Sequence, residues 1–151
     1  MDTMVRNTNH LKIRLNNYCI LILLQHVHTV LPVAKLELIP HHASALAGIL
    51  NFHGQAVPVY HLSELINDSM PEYDLNTPML ICTLSIGLIG LLASEVVEVI
   101  NVREEMIQKP PVNEAKPYIT GLIEKEKWSA WILDLEKLFK THHFSLEEIH
   151  D

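Results

Sequence analysis

The sequence predicts an all-β protein with short helices, folded as two small β-barrels. Apolar runs of strand length recur along the chain, separated by Gly, Pro, Asn and Ser. Helical spacing shows only in short stretches, at 62–66 and 134–140. The chain also repeats one unit: strand, turn, strand, then Leu-x-x-Leu. Gly48, Leu62 and Leu65 recur as Gly121, Leu135 and Leu138, each pair 73 residues apart. Repeated short strands closed by a small helix fit a pair of barrels better than one open sheet.

Residues 1–16 form a polar lead-in. Residues 18–24 are a continuous apolar run of strand length, 25–28 connect it, and 29–33 form the next strand. Residues 36–39 stay extended until Pro40, and 41–47 are a connector with room for one helical turn. The stretch 48–66, GILNFHGQAVPVYHLSELI, reads as a hairpin followed by a helix. Gly54 supplies a positive φ for the turn. Pro58 has no N–H, so its strand pairs on one side only at that point.

Residues 67–78 are the main internal loop, with Pro71 and Pro78. The stretch 79–92 folds as two strands about Leu84-Ser85-Ile86-Gly87, and 95–102 alternates as a long half-exposed strand. A loop over 103–116 carries Pro110-Pro111. A last hairpin follows, 118–123 and 128–133, then a helix over 134–140 with Asp134 as N-cap. Trp128 and Trp131 point to opposite faces of their strand. Ser145 and Glu148 have capping-box spacing for a terminal helical turn. LELI at 36–39 pairs with VEVI at 97–100, so the predicted domain, 17–140, divides into halves at about 18–66 and 79–140, with 141–151 as a tail.

Composition narrows the function. Of 151 residues, 48% are hydrophobic and 19% charged, the balance of a folded chain. Lys and Arg number 11 against 18 acidic residues, a formal charge of −7 that disfavours nucleic acid and anionic membrane as partners. Cys19 and Cys82 sit in apolar runs and read as buried thiols. The N-terminus lacks a signal-peptide core, and the uncharged stretch 78–94 is shorter than the ~20 residues of a membrane helix.

Catalytic chemistry finds no support. There is no G-x-S-x-G, no P-loop and no dinucleotide fingerprint. The thiols lie inside strands, where they are inert. The ten histidines raise metal binding as a question. His41-His42 and His142-His143 are adjacent pairs that point apart on a strand, and His26-x-His28 lies in a predicted turn without a third ligand. The expectation is no metal, no cofactor and no catalytic residue, but a binding surface, with Phe52 at the hairpin tip as one candidate contact.

An ordered series of short motifs then resembles the CheW-like domain. Val30-Leu31-Pro32 comes first, then Pro40 with Gly48 eight residues on. Asn51, Gly54, Pro58-Val59 and Leu62 follow. Gly90, Val96, Glu98 and Val99 are next, and Tyr118, Gly121, Leu133-Asp134-Leu135 and Leu138 close the set. The resemblance covers about 18–140. It implies two five-stranded SH3-like barrels around a shared groove, and a non-catalytic adaptor. Its partners would be the regulatory domain of a CheA-type histidine kinase and the signalling tip of methyl-accepting chemoreceptors. That implies a cytoplasmic protein at receptor arrays on the inner membrane face. A PilI-like adaptor of a pilus pathway, or a regulator sensing metal or ligand through its histidines, is the alternative. Carried onto this sequence, the partner-binding residues are Glu37, Phe52, His53, Gly54, Val96 and Val99.

The departures are specific. His53 stands where the family has Arg, exchanging a permanently charged fork of donors for a ring that is mostly neutral near pH 7. His61 replaces an N-cap-like Asp, Ala93-Ser94 replaces Val-Asp, and Glu37 falls one residue before the family's Glu, where Leu38 stands. About half a dozen family residues are missing between Ile39 and Pro40.

Overall fold

The computed structural model describes residues 7–33, 36–38 and 45–141. Its strands are β1 (Asn7–Leu15), β2 (Tyr18–Leu23), β3 (Val27–Pro32), β4 (Glu37–Leu38), β5 (Leu46–Phe52), β6 (Gln55–His61), β7 (Pro78–Leu84), β8 (Gly87–Leu92), β9 (Glu95–Arg103), β10 (Ile119–Glu124) and β11 (Ser129–Leu133). Helix α1 (Leu62–Leu65) follows β6, and α2 (Leu135–Thr141) follows β11. The first sheet runs β10-β11-β2-β1-β9 and the second β3-β7-β8-β6-β5-β4.

Each sheet bends round on itself. Beyond β9 the chain reaches Gln108, whose N–H donates to the Leu122 carbonyl of β10 (2.8 Å) and whose carbonyl accepts from the Leu122 N–H (2.9 Å). One segment thus touches both edges of the first sheet. The second sheet does the same: β3 pairs with β7 at one edge, and β4 pairs with Ile49 and Gly48 of β5 at the other. With β3 and β4 counted as one bent strand, both sheets are five-stranded, as the resemblance implies.

The two sheets match strand for strand. In each, an antiparallel hairpin (β1–β2 or β7–β8) meets the second strand of another hairpin in parallel (β2 with β11, β8 with β6). The repeat units are therefore β1 to α1 and β7 to α2, and their strands are exchanged. The hairpin β1–β2 is completed by β9, β10 and β11 of the other unit, and β7–β8 by β3 to β6.

Two expectations need correction. Residues 7–15 are not lead-in but a core strand. Leu11, Ile13 and Leu15 are buried on one face, His10 and Lys12 on the other. The polar alternates give the segment a soluble look. As an interior strand between a barrel lumen and the opposite sheet, β1 is covered on both sides. Lys12 is accommodated by burying its stem (side chain 7% exposed) and placing Nζ 3.5 Å from Glu98 and 4.1 Å from the centre of the Trp128 ring. The equivalence of 36–39 with 97–100 also fails, because β9 holds the place in its sheet that β3, not β4, holds in the other. The expected half 18–66 accordingly omits β1, whereas 79–140 matches the second unit to within one residue at each end.

Three cores result. The largest lies between the sheets and joins Leu11, Ile13, Leu80 and Leu91 to Leu62 and Leu65 of α1 and to Leu138 and Phe139 of α2. Leu50, Val57, Val59, Met79 and Ile81 fill the second sheet, and Leu21, Val102, Ile123 and Ile132 the first. Val59 lies opposite Gly90, where an added Cβ would meet its Cγ2 at 2.8 Å. Pro58 pairs with Ile49 on one side, and the parallel ladder with β8 begins only at Val59, as its missing N–H requires. Cys82 is fully buried, while Cys19 is only half-buried, short of the expectation.

Candidate partner-binding groove

Strands β3 and β9 are the free edges where the central core reaches the surface. Val27 pairs with Cys82 and Val30 with Leu80. Val96 pairs with Ile13 and Val99 with Leu11. Directly paired residues share a face, and Leu11, Ile13, Leu80 and Cys82 all belong to the central core. The four valines therefore sit on the faces the sheets turn toward each other. Val27 and Val96 are half-buried against that core, whereas Val30 is 41% and Val99 52% exposed. A register shift in β9 leaves Val97 as a further exposed apolar residue.

Val30 and Val96 line one groove of about 420 Å³ with Arg14, Asp74, Asn76, Pro78, Ser94 and Glu95. Its rim is wired to the backbone. Arg14 Nε donates to Glu95 Oε1 (3.1 Å), Ser94 N–H to the Arg14 carbonyl (3.0 Å), and Asn16 N–H to Ser94 Oγ (3.0 Å). Arg14 also donates to the Asn16 carbonyl. An exposed ion pair of this kind contributes at most about 1 kcal/mol. It fixes a charged lip beside the Val30 and Val96 side chains.

The hairpin tip lies at the end of the second sheet. His53 (φ 51°) and Gly54 (φ 83°) both take positive φ, as a type I′ turn requires, and Gly54 N–H donates to Asn51 Oδ1 (3.0 Å). His53 and Gly54 are exposed. Phe52 is half-buried against the core of the second sheet, with edge-to-face contacts to His28 (centroids 5.6 Å) and His53 (4.4 Å). It closes the barrel end and leaves one side exposed.

Of the residues singled out from sequence, Val96 lines the groove, and Val99 lies further along the same face of β9. Phe52, His53 and Gly54 form the tip, on the other sheet. Strand β3 links them, with His28 against Phe52 and Val30 opposite Val96. The backbone of Glu37 pairs with Ile49 on β4–β5; its side chain lies outside the described residues. Val30 and His28 were not named as partner contacts, yet a signal for Val30 exists: Val27 and Val30 precede Val96 and Val99 by 69 residues, the spacing that separates β2 from β8.

Metal binding gains nothing from the geometry. His26 Nδ1 lies 3.3 Å from the Thr83 carbonyl while His28 packs on Phe52, so this pair does not converge. The pairs His41-His42 and His142-His143, and the expected helical turn at 145–148, lie outside the described residues. Among the described residues no group of three or more His, Cys, Asp or Glu side chains could hold a metal. Burial pushes the Cys82 thiol up to about 12, far from a reactive thiolate.

His61 does something else. Its ring stacks on Tyr73 (centroids 5.5 Å, planes 6° apart) with Nδ1 3.2 Å from the phenol oxygen. Burial lowers the His61 pKa and raises that of Tyr73 to about 12, which favours a neutral imidazole beside a protonated phenol. On the same loop, Tyr18 Oη donates to Asp68 (2.6 Å), which lowers the carboxyl's pKa.

Fold and groove together define a paired-barrel scaffold whose chemistry is docking. No helix among the described residues is long and apolar enough to cross a membrane. Comparison with known proteins agrees. Residues 9–143 match the CheW-like domain, so the chain belongs to the CheW-like domain family, a family of non-catalytic scaffolds. The chain is 26% identical over 104 residues to the chemotaxis protein CheW of Klebsiella aerogenes, a match spanning 67% of this chain and 63% of that protein. Its fold superposes on the crystal structure of scaffolding protein TtCheW from Thermoanaerobacter tengcongensis with a TM-score of 0.78 and 21% identity, covering 89% of this chain and 94% of that one.

Proposed function

We propose that this chain is a non-catalytic chemosensory adaptor that couples methyl-accepting chemoreceptors to the regulatory domain of a CheA-type histidine kinase at the cytoplasmic face of the inner membrane. The observation that carries the reading is the groove between β3 and β9, which Val30 and Val96 line beside the Arg14–Glu95 pair, with Val27 and Val99 on the same strand faces. A helix bearing an apolar stripe buries that stripe in such a groove, and flanking polar groups set its register. The receptor's signalling-tip helices have that form. The Asn51–Gly54 tip, with His53 in place of the family's Arg, is the polar contact at the barrel end. Glu37 is a second polar contact.

Co-sedimentation with receptor signalling-tip fragments, and separately with the kinase regulatory domain, tests this. A Val30→Glu/Val99→Glu double variant should bind the receptor tip at least about tenfold more weakly, since each places a charge on apolar contact area. His53→Glu should weaken one of the two assemblies. His53→Asn, which also tolerates positive φ, separates loss of the imidazole from loss of the turn. Wild-type protein that binds neither partner sinks the proposal.

A further inference from the structure

The two short helices cross over between the barrels. α2 follows β11 of the first sheet, yet Phe139 packs on Tyr60 of the second, with ring centroids 5.4 Å apart and the Phe only 4% exposed. α1 follows β6 of the second sheet, and the residue after it, Ile66, lies over the first. The repeat spacing of 73 that relates Leu65 to Leu138 also relates Ile66 to Phe139 and Tyr60 to Leu133. Ile66 and Leu133 are aliphatic where their counterparts are aromatic. They line an apolar pocket of about 180 Å³ walled by Tyr18, Ile20 and Trp131, with Lys116 at its mouth.

The pocket is what remains when a helix of four residues followed by Ile66 stands where the other unit has seven residues that include Phe139. Its size suits one ring, since cavities of about 150 Å³ hold benzene. Tyr18 is held in place by its bond to Asp68. β1 separates the pocket, on β2 and β11, from the groove at β9, so both can be occupied at once. We infer that this pocket is a second docking site, which takes a single aromatic side chain presented on a helical turn of a partner protein. The occupant follows from the molecule's own solution to the same geometry: a helical Phe fills the equivalent site on the other barrel. The inference is independent of receptor and kinase coupling.

The test is an NMR titration of the full chain with N-acetylphenylalaninamide and with the capped peptide DLEKLFKT, the sequence of 134–141. The same peptide carrying F139A is the control. Saturable shifts are expected at the Trp131 indole N–H and the Ile66 and Ile119 methyls, with the Trp128 indole unmoved and the control peptide silent. Ile66→Phe, which supplies the missing ring from within, should weaken binding by at least about tenfold while the sheet resonances persist. Trp131→Leu, read through the Ile66 and Ile119 methyls, gives the same answer if Ile66→Phe does not fold. Four results overturn the inference: no saturable shift, unchanged binding in both variants, shifts centred on Tyr60 and Phe139, or self-association that Ile66→Phe abolishes, which would make the occupant a second copy.

Discussion

The segments β6–α1 and β11–α2 are the same unit twice, and they differ most at one residue, the helix cap. In the second unit Asp134 Oδ1 accepts the Lys137 N–H (3.0 Å), and α2 continues for seven residues. Its Glu136 carboxylate accepts from the Ser85 N–H (2.9 Å) and hydroxyl (2.8 Å), which ties the helix to the β7–β8 turn. In the first unit the cap is His61, which makes no capping bond, and α1 stops after four residues. Freed from capping, the His61 ring stacks on Tyr73 and pins the loop between the units. His61 thus trades a cap for a loop anchor, while α1 is closed at its other end by a Schellman turn at Asn67 (φ 59°), with Asn67 N–H donating to the Glu64 carbonyl (3.2 Å) and Asp68 N–H to that of Ser63 (2.8 Å). Equal frames do not give equal surfaces.

The largest test of this equivalence is in the shared core. Leu65 and Leu138 correspond and are both fully buried there. Leu65→Ala and Leu138→Ala should each cost about 2–5 kcal/mol in urea unfolding. Both should keep a single transition, because one core serves both units. A biphasic curve would show the barrels to be energetically separate.

Glycines come next. Gly90→Ala would push a Cβ to 2.8 Å from Val59 Cγ2, deep in the second barrel, and should cost about 1–3 kcal/mol. Gly121→Ala meets Ile107 Cγ2 at 2.5 Å, but Ile107 is 37% exposed and can move outward. Its cost should be the smaller, as differential scanning calorimetry of the two variants would reveal.

The caps themselves rank third. Asp134→Ala should lose about 1 kcal/mol. His61→Ala should lose no capping energy, and should instead loosen the 67–77 loop, seen as faster amide exchange there.

The smallest effect is that of pH. Burial lowers the pKa of both His10 and His61 in the fold, against an ordinary value of 6.5. The unfolded chain therefore takes up these protons first on acidification. Stability from this source is complete above pH 6.5 and is lost as pH falls through the lowered values. Denaturation midpoints between pH 7.5 and about 5 should fall in wild type and fall less in His61→Gln.

Much of this was legible in the residues. The three hairpins at 48–60, 79–92 and 118–133 announce themselves through alternating apolar runs and turn residues, and the Leu-x-x-Leu echo reveals the repeat. Strand β1 was misjudged because His10, Lys12 and Arg14 alternate with its apolar residues, and nothing local shows that two layers cover it. Partner choice was hidden for the same reason. The pattern of β9 says strand but not which edge it holds, so Val30 entered only as part of a family motif and not as the residue that shares a groove with Val96. Sequence leaves Phe52 either a contact at the tip or the cap of a barrel core, and its half-buried place against the core of the second sheet fits the cap.

The exchange of strands between units has a consequence for how the chain can be divided. A cut in the 67–77 loop would yield two pieces that each hold the hairpin of one barrel and the remaining strands of the other. Neither piece could close a barrel, and each would leave its half of the central core bare. Mixed, they should reassemble as a stoichiometric complex with both barrels restored. The covalent link between them is a convenience of synthesis, and what makes the molecule one folding unit is the interleaving itself.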